Sequence, residues 1–108
     1  MKKPREMRKE FLAALMVGLS VTWPILSLLI GAIVGLGIAI GLIEGWSMTE
    51  SLYFSFVTGL TIGYGDLVPK SLLARVLAVL VGICGVLLTA LVAAVAVKAL
   101  TATINEPS

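Results

Sequence analysis

The sequence contains no histidine and a single cysteine, Cys84. Histidine is the commonest general base and metal ligand, so its absence removes most familiar catalytic arrangements. A lone cysteine cannot form an intrachain disulfide, and its place in an apolar run predicts a buried structural thiol. With six scattered carboxylates, one chain offers no zinc site, catalytic triad or pair of catalytic acids. We therefore do not expect an enzyme.

Charged residues are also scarce, at 13% of 108 residues, whereas 59% are hydrophobic. The mean hydropathy is +1.11. A water-soluble domain of this size would need far more polar surface. The composition predicts one domain that is integrated into a membrane and surrounded by lipid.

Five of the eight basic residues lie within the first nine positions: Lys2, Lys3, Arg5, Arg8 and Lys9. A basic terminus can bind nucleic acid, but next to a long apolar run it more often marks a cytoplasmic flank. We expect a multi-pass protein of the plasma (inner) membrane, with a cytoplasmic N-terminus and no nucleic-acid partner.

The first apolar run, residues 11–43, contains no charge. As a helix it would span roughly 50 Å, against about 30 Å of bilayer hydrocarbon. Pro24 removes a backbone donor and disfavours helix at the preceding residue. We predict an outer helix at residues 24–43, preceded by a cytoplasmic or interfacial segment at residues 1–23. One long tilted helix with a kink is the alternative.

The second apolar run is interrupted only by Arg75 and Lys98, which lie near its ends and can reach the headgroups. It predicts an inner helix at residues 71–100, followed by a tail at residues 101–108 that is too short to fold. Two crossing helices place both termini on the cytoplasmic side.

The connection between the two helices is then external, yet much of it is apolar. Ser47 and Glu50 fit a capping box, which predicts a short helix at residues 47–59. Glycine-rich backbone follows at residues 60–66. Irregular backbone survives at membrane depth only where protein shields it or where it lines a watery path. The pattern describes a re-entrant pore loop.

The stretch TIGYGD, residues 61–66, resembles the signature of potassium channels. Together with IEG at residues 43–45 and SMTESLYFSFVTGL before the signature, it is similar to the pore of prokaryotic calcium-gated potassium channels. The resemblance covers residues 24–100. It implies an all-α membrane protein with two transmembrane helices, a re-entrant pore helix and a selectivity filter, assembled as a homotetramer. The cytoplasmic sensor domain of those channels has no counterpart in this sequence.

The resemblance implies that K⁺ ions bind in the filter, at the backbone carbonyls of Thr61, Ile62, Gly63 and Tyr64, with Gly65 completing the filter. No organic cofactor is expected. Carbonyl rings replace the hydration shell of the ion. Carbonyls that point the same way from consecutive residues need alternating backbone conformations, and Gly63 and Gly65 reach positive φ without a Cβ penalty.

The resemblance also assigns filter support to Asp66 and to Tyr53, which would bond to it. Simple apolar packing is the alternative for Tyr53. Two positions depart from the family pattern. Leu60 replaces a small or hydroxyl residue, and Val57 replaces a buried glutamate, so we do not expect filter inactivation controlled by that acid.

On the inner helix, Gly85 lies 24 residues after Thr61, where the family places a gating hinge. Small side chains at helical spacing would line the inner cavity: Val86, Thr89, Ala93 and Ala96. They leave few bulky groups to close the pore. Alternatively, this face packs on the outer helix and the pore is lined by Leu88, Leu91 and Val95.

The sequence thus predicts a potassium-selective channel. A weakly selective cation channel, the pore module of a larger ligand-gated channel and a non-conducting membrane scaffold are the alternatives. A cytoplasmic regulatory domain or subunit outside this chain is a further expected partner.

Overall fold

The computed structural model describes residues 3–105, which form three α-helices: α1 (Pro4–Glu44), α2 (Met48–Gly59) and α3 (Leu72–Asn105). That range contains no strand, so the predicted all-α class is confirmed. Lys2 of the basic cluster and the last three residues of the predicted tail lie outside the described residues.

Helix α1 begins at Pro4 and continues through Pro24 to Glu44. This corrects the predicted start at residue 24 and agrees with the alternative of one long helix. Proline is well suited to the first helical position because its missing N–H is not needed there. An interior proline costs one hydrogen bond. The neighbouring residues in an apolar medium must still pair their own backbone N–H and C=O groups in hydrogen bonds. This requirement favours helix on both sides of Pro24.

Helix α2 begins with the predicted capping box, which is confirmed. Glu50 N donates to Ser47 Oγ at 3.1 Å, and Ser47 N donates to Glu50 Oε1 at 3.0 Å. The helix ends at Gly59, as the sequence predicted. The two reciprocal hydrogen bonds of this cap determine where α2 begins in the connection between the two long helices.

Helix α3 starts one residue after Ser71, whose Oγ accepts a hydrogen bond from Ala74 N at 3.2 Å. It continues to Asn105, five residues beyond the predicted end at residue 100. The first part of the predicted tail is therefore helical. Inside this extension, Thr103 Oγ1 donates to Ala99 O at 2.9 Å, so its buried hydroxyl is satisfied within the helix.

The chain divides into two compact units, of which one is Ser27–Thr89. All three helices contribute to its hydrophobic core, which consists of Ile33, Ile40, Phe54, Ala74 and Val81. The Trp46 ring meets the Phe54 ring edge-on, with centroids 5.0 Å apart and an interplanar angle of 60°. This core holds α2 between the ends of the long helices.

Within this unit, α2 lies unusually close to α1. A Cβ added to Gly37 would be 1.6 Å from Ser55 Oγ, and one added to Gly41 would be 1.7 Å from Ser51 Oγ. Both serines are buried, and each hydroxyl donates to the carbonyl four residues earlier, at 2.8 Å for Ser55 and 2.9 Å for Ser51. Small residues four apart on both helices therefore allow their backbones to approach.

The other unit consists of two segments, the chain up to Leu26 and the chain from Ala90 onward. Its buried residues include Leu26, Val95 and Ala99. A Cβ added to Gly18 would meet Val95 Cγ1 at 2.7 Å, so the two helices also approach closely in this unit.

Both long helices expose most of their apolar surface. In their most apolar 18-residue windows, 28% of the α1 window and 11% of the α3 window is buried. The core helix of a soluble protein would be mostly buried, whereas a membrane span is apolar on every side. In length and exposure, α1 and α3 have the properties of transmembrane helices.

Candidate filter and inner face

The backbone of the TIGYGD segment alternates in conformation. Positive φ angles occur at Thr61 (59°), Gly63 (61°) and Gly65 (84°), and the intervening Ile62 and Tyr64 do not share them. Glycine adopts this region without steric cost, whereas a β-branched threonine there is an outlier. The alternation is the feature that the sequence predicted for the two glycines, and Thr61 extends it by one position.

The amides at the start of this segment point back to the end of α2. Thr61 N donates to Thr58 O at 3.1 Å, and Val57 O accepts from Ile62 N at 2.9 Å and from Gly63 N at 3.3 Å. Within residues 3–105, the carbonyl oxygens of residues 61–64 accept no hydrogen bond. Anchored amides with unoccupied carbonyls leave the oxygens available to a cation.

The side chains of the segment are largely exposed in the single chain. Ile62 is 49% exposed and Tyr64 68% exposed, so one chain leaves about half or more of each side chain uncovered. Thr61 Oγ1 donates to Leu60 O at 2.6 Å.

The structure brings Tyr53 and Asp66 together, in a cavity of about 270 Å³ that Thr49, Glu50 and Leu67 also line. The interaction of the Tyr53 phenol, as donor, with the Asp66 carboxylate, together with burial and the negative charge of that carboxylate, raises the pKa of the Tyr53 phenol above its ordinary value. Leu67 N donates to Asp66 Oδ1 at 3.1 Å. Tyr53 and Asp66 thus line the same cavity, and the role of Tyr53 as filter support stays a prediction.

The pH dependence of this pair can be tested. A tyrosine whose pKa is raised on folding adds stability below its unfolded pKa of about 10, and that stability is lost as pH rises through the folded pKa. We expect Tyr53→Phe to remove the tyrosine component that is shifted to higher pH in an ultraviolet absorbance titration. Asp66→Asn should move that component to lower pH. An unchanged alkaline component in Asp66→Asn would contradict the pairing.

Gly85 lies against the backbone of the pore helix. A Cβ at this position would be 2.0 Å from Gly59 O and 2.9 Å from Gly59 Cα. The close approach gives Gly85 a packing role that sequence reasoning did not anticipate. Its predicted role as a gating hinge stays a prediction. At the nearby Gly82, an added Cβ would have nothing within 4 Å.

The residues predicted to line the inner cavity lie on a face of α3 that is partly exposed in the single chain. In the unit Ser27–Thr89, Val86 and Thr61 line an open recess of about 400 Å³, and Thr89 is exposed, whereas Leu88 packs against the core. This arrangement favours the predicted face over the one that contains Leu88. The lining itself stays a prediction.

In the other unit, Ala93 is exposed and Val95 is buried, which again favours the predicted face. Ala96 differs. It is half-buried and lines an apolar recess of about 370 Å³ that also includes Met7 and Phe11.

One polar contact near the filter was missed from the sequence. The carboxylate of Glu44 accepts hydrogen bonds from two backbone amides, Lys70 N and Ser71 N, and the second is 3.1 Å long. The partners are 26 and 27 residues away in the chain, so no local pattern could have found them.

Residues 3–105 contain no group of three or more His, Cys, Asp or Glu side chains that could hold a metal ion. Binding of K⁺ at the carbonyls of residues 61–64 stays a prediction.

Comparisons with known proteins identify the family of the chain. The family profile described as "Ion channel" matches residues 14–102, which is most of the chain. The intermediate conductance calcium-activated potassium channel protein 4 of Rattus norvegicus is 42% identical over 53 residues, covering 49% of this chain and 12% of that protein. Potassium channel subfamily K member 12, from Rattus norvegicus and from Homo sapiens, is 61% identical over 28 residues, covering 26% of this chain and 6% of each relative.

The chain thus spans only a small part of the length of these relatives. No solved structure shows a significant match. The profile match nevertheless includes both long apolar helices and everything between them, apart from the first turns of α1 and the last of α3. It concerns a family of membrane channels and not of enzymes. The chain therefore belongs to the ion channel family.

Proposed function

We propose that this protein is a potassium-selective channel whose filter is the backbone of residues 61–65. The observation that carries the proposal is the combination, within TIGYGD, of alternating positive φ with carbonyls that accept no hydrogen bond in residues 3–105. Neutral carbonyl oxygens at close range replace the water around K⁺, and they bind it weakly enough for the ion to leave. The potassium channels among the relatives add support.

The proposed assembly is a homotetramer, because one chain supplies one loop and a ring of carbonyls needs several. A cyclic arrangement with head-to-tail contacts closes such a ring. The exposed Ile62 and Tyr64 would then be covered by neighbouring subunits. In the same arrangement the C-terminal end of each α2, which carries roughly half a negative charge, would favour a cation near the pore axis.

We propose that the protein lies in the plasma (inner) membrane. Both of its termini would lie in the cytoplasm. The basic residues at the start of α1 support it under the positive-inside rule. The inner cavity would be lined by Val86, Thr89 and Ala93, whose small or exposed side chains leave a wide cytoplasmic mouth. Gating would then take place largely at the filter, with any regulatory domain or subunit acting on α3.

The experiment is a planar-bilayer recording of the purified protein with K⁺ on one side and Na⁺ on the other. We expect the current to reverse close to the K⁺ equilibrium potential. Ba²⁺ should block it, because this ion matches K⁺ in size but carries twice the charge and binds too tightly to leave.

Equal Na⁺ and K⁺ permeability would contradict this proposal and would support the weakly selective cation channel instead. A reconstituted tetramer that passes no current under any condition would support the alternative of a non-conducting membrane scaffold. Gly63→Ala provides the control, because its φ of 61° disfavours any side chain, and selectivity should fall in this variant.

A further inference from the structure

A groove between α1 and α3, in the unit formed by the two end segments of the chain, takes no part in the proposed filter. It lies between residues 10–22 of α1 and residues 95–102 of α3, and we call it the end groove. Its volume is about 590 Å³, within the range of about 300–1,000 Å³ that ligand sites usually have. The lining is apolar except for Thr22 and two charged residues, Glu10 and Lys98.

Short side chains leave the space that the end groove occupies. Gly18 on α1 lies against the buried Val95 on α3, and a Cβ added to Gly18 would be 2.7 Å from Val95 Cγ1. The lining around this contact includes several alanines, among them Ala14 and the exposed Ala102. Thr22 Oγ1 donates to Gly18 O at 2.9 Å, so this hydroxyl is satisfied within α1. The two charged side chains are therefore the groups that can recognise a polar ligand.

Lys98 is the one charged residue of α3 between Val76 and Asn105. Its side chain is exposed and, within residues 3–105, it makes no hydrogen bond or ion pair. Its neighbours Val97 and Leu100 are apolar and exposed. An ammonium group on such a surface of a membrane protein extends toward lipid headgroups, whose phosphates carry the opposite charge.

Glu10 contributes a negative charge to the same groove from α1 and is half-buried. It already has a polar interaction within the chain, but a carboxylate offers about four acceptor sites. A headgroup with net negative charge would be attracted by Lys98 and repelled by Glu10. A headgroup that carries both a phosphate and a primary ammonium complements both residues. The quaternary ammonium of phosphatidylcholine has no N–H to donate to the carboxylate.

We propose that the end groove binds one molecule of phosphatidylethanolamine. The ammonium of Lys98 donates to the lipid phosphate, and Glu10 accepts from the lipid ammonium. Hydrogen bonds between ionised groups are stronger than neutral ones. An acyl chain lies along the apolar lining and covers Val17 and Val21, which are 63% and 74% exposed in the chain. The inference concerns lipid binding and does not depend on K⁺ conduction.

The test is native mass spectrometry of the purified full chain with phosphatidylethanolamine, phosphatidylcholine or phosphatidylglycerol, which have identical acyl chains and are added at equal concentration. We expect phosphatidylethanolamine to bind more tightly than the other two lipids. Lys98→Gln should weaken its binding about fivefold, the ratio that corresponds to the loss of one exposed ion pair. Glu10→Gln should remove the preference over phosphatidylcholine, because no carboxylate then accepts from the lipid ammonium.

Two matched pairs of variants make the result specific. Lys9→Gln removes the same charge from an exposed residue that does not line the end groove, so its binding should match wild type. Ala102→Phe places a ring in the groove, whereas Ala94→Phe places the same ring at an exposed position outside it. We expect phosphatidylethanolamine binding to be lost in Ala102→Phe and kept in Ala94→Phe.

Equal binding of phosphatidylethanolamine and phosphatidylcholine by the wild type would overturn the recognition of the lipid ammonium. Wild-type binding in Lys98→Gln or in Ala102→Phe would overturn the end groove as the binding site. Disulfide-linked dimers of Ala102→Cys, made in a Cys84→Ala background, would place a second copy of the chain at the groove and would also overturn the proposal.

Discussion

Replacing Gly37 with alanine is expected to destroy most of the folded, conducting protein. The new Cβ would be 1.6 Å from Ser55 Oγ and 2.8 Å from Ser55 Cβ, so α1 and α2 must separate. Overpacking a buried contact costs about 1–3 kcal/mol or more. That cost exceeds the gain of about 1 kcal/mol from replacing glycine with alanine in a helix. Thermal unfolding in detergent and K⁺ current in bilayers would measure the loss.

Gly35→Ala is the matched control. It lies two residues earlier on the same helix, and an added Cβ there has nothing within 4 Å. We expect it to be neutral or slightly stabilising. Combining Gly37→Ala with Ser55→Gly removes both close atoms and leaves Ser55 Cα at 3.3 Å, so stability should partly return. A Gly37→Ala protein as stable as Gly35→Ala would show that the two helices do not touch here.

The second large effect is expected for Gly85→Ala. Its Cβ would meet the backbone of Gly59, with the carbonyl oxygen at 2.0 Å and the carbonyl carbon at 2.8 Å. A backbone group cannot rotate away as a side chain can, so α3 or the end of α2 must move. Because Gly59 directly precedes the proposed filter segment, we expect a lower unfolding temperature and, in the proposed channel, loss of K⁺ selectivity.

This variant also separates close packing from a hinge. If Gly85 served only as a flexible point, alanine would stiffen α3 and raise the stability by about 1 kcal/mol while changing gating alone. Close packing predicts the opposite sign for stability. Gly82→Ala, with open space around its Cβ in the chain, should show the small gain that Gly85→Ala does not.

The parts of the structure that were predicted from sequence depend on local chemistry. The capping box at Ser47 and Glu50 needs only two side chains three residues apart, and its bonds formed as expected. The positive φ at Gly63 and Gly65 follows from the absence of a Cβ. The apolar runs that gave the two long helices are equally local signals. Family resemblance then supplied the expectation that Tyr53 and Asp66 interact, and the structure places both beside one cavity.

The parts that were missed depend on which surfaces meet. The sequence contains Gly37 and Gly41 in an apolar run, but nothing local shows that Ser55 and Ser51 lie opposite them. The contact between Glu44 and the amide of Ser71 likewise exists only once α1 and α3 are placed. Pro24 shows the converse error: a local rule predicted a helix start, but the requirement for paired backbone groups in an apolar medium kept the helix continuous.

The positive φ of Thr61 predicts where the proposed filter would first lose its conformation. Its φ of 59° costs a non-glycine residue about 1–3 kcal/mol, whereas Gly63 and Gly65 adopt positive φ without that cost. Stored conformational energy is therefore concentrated at the end of the proposed filter that adjoins α2. A peptide flip at this position would release it, and in the proposed channel an ion bound there would oppose the flip. We expect spontaneous collapse to start there and spread outward.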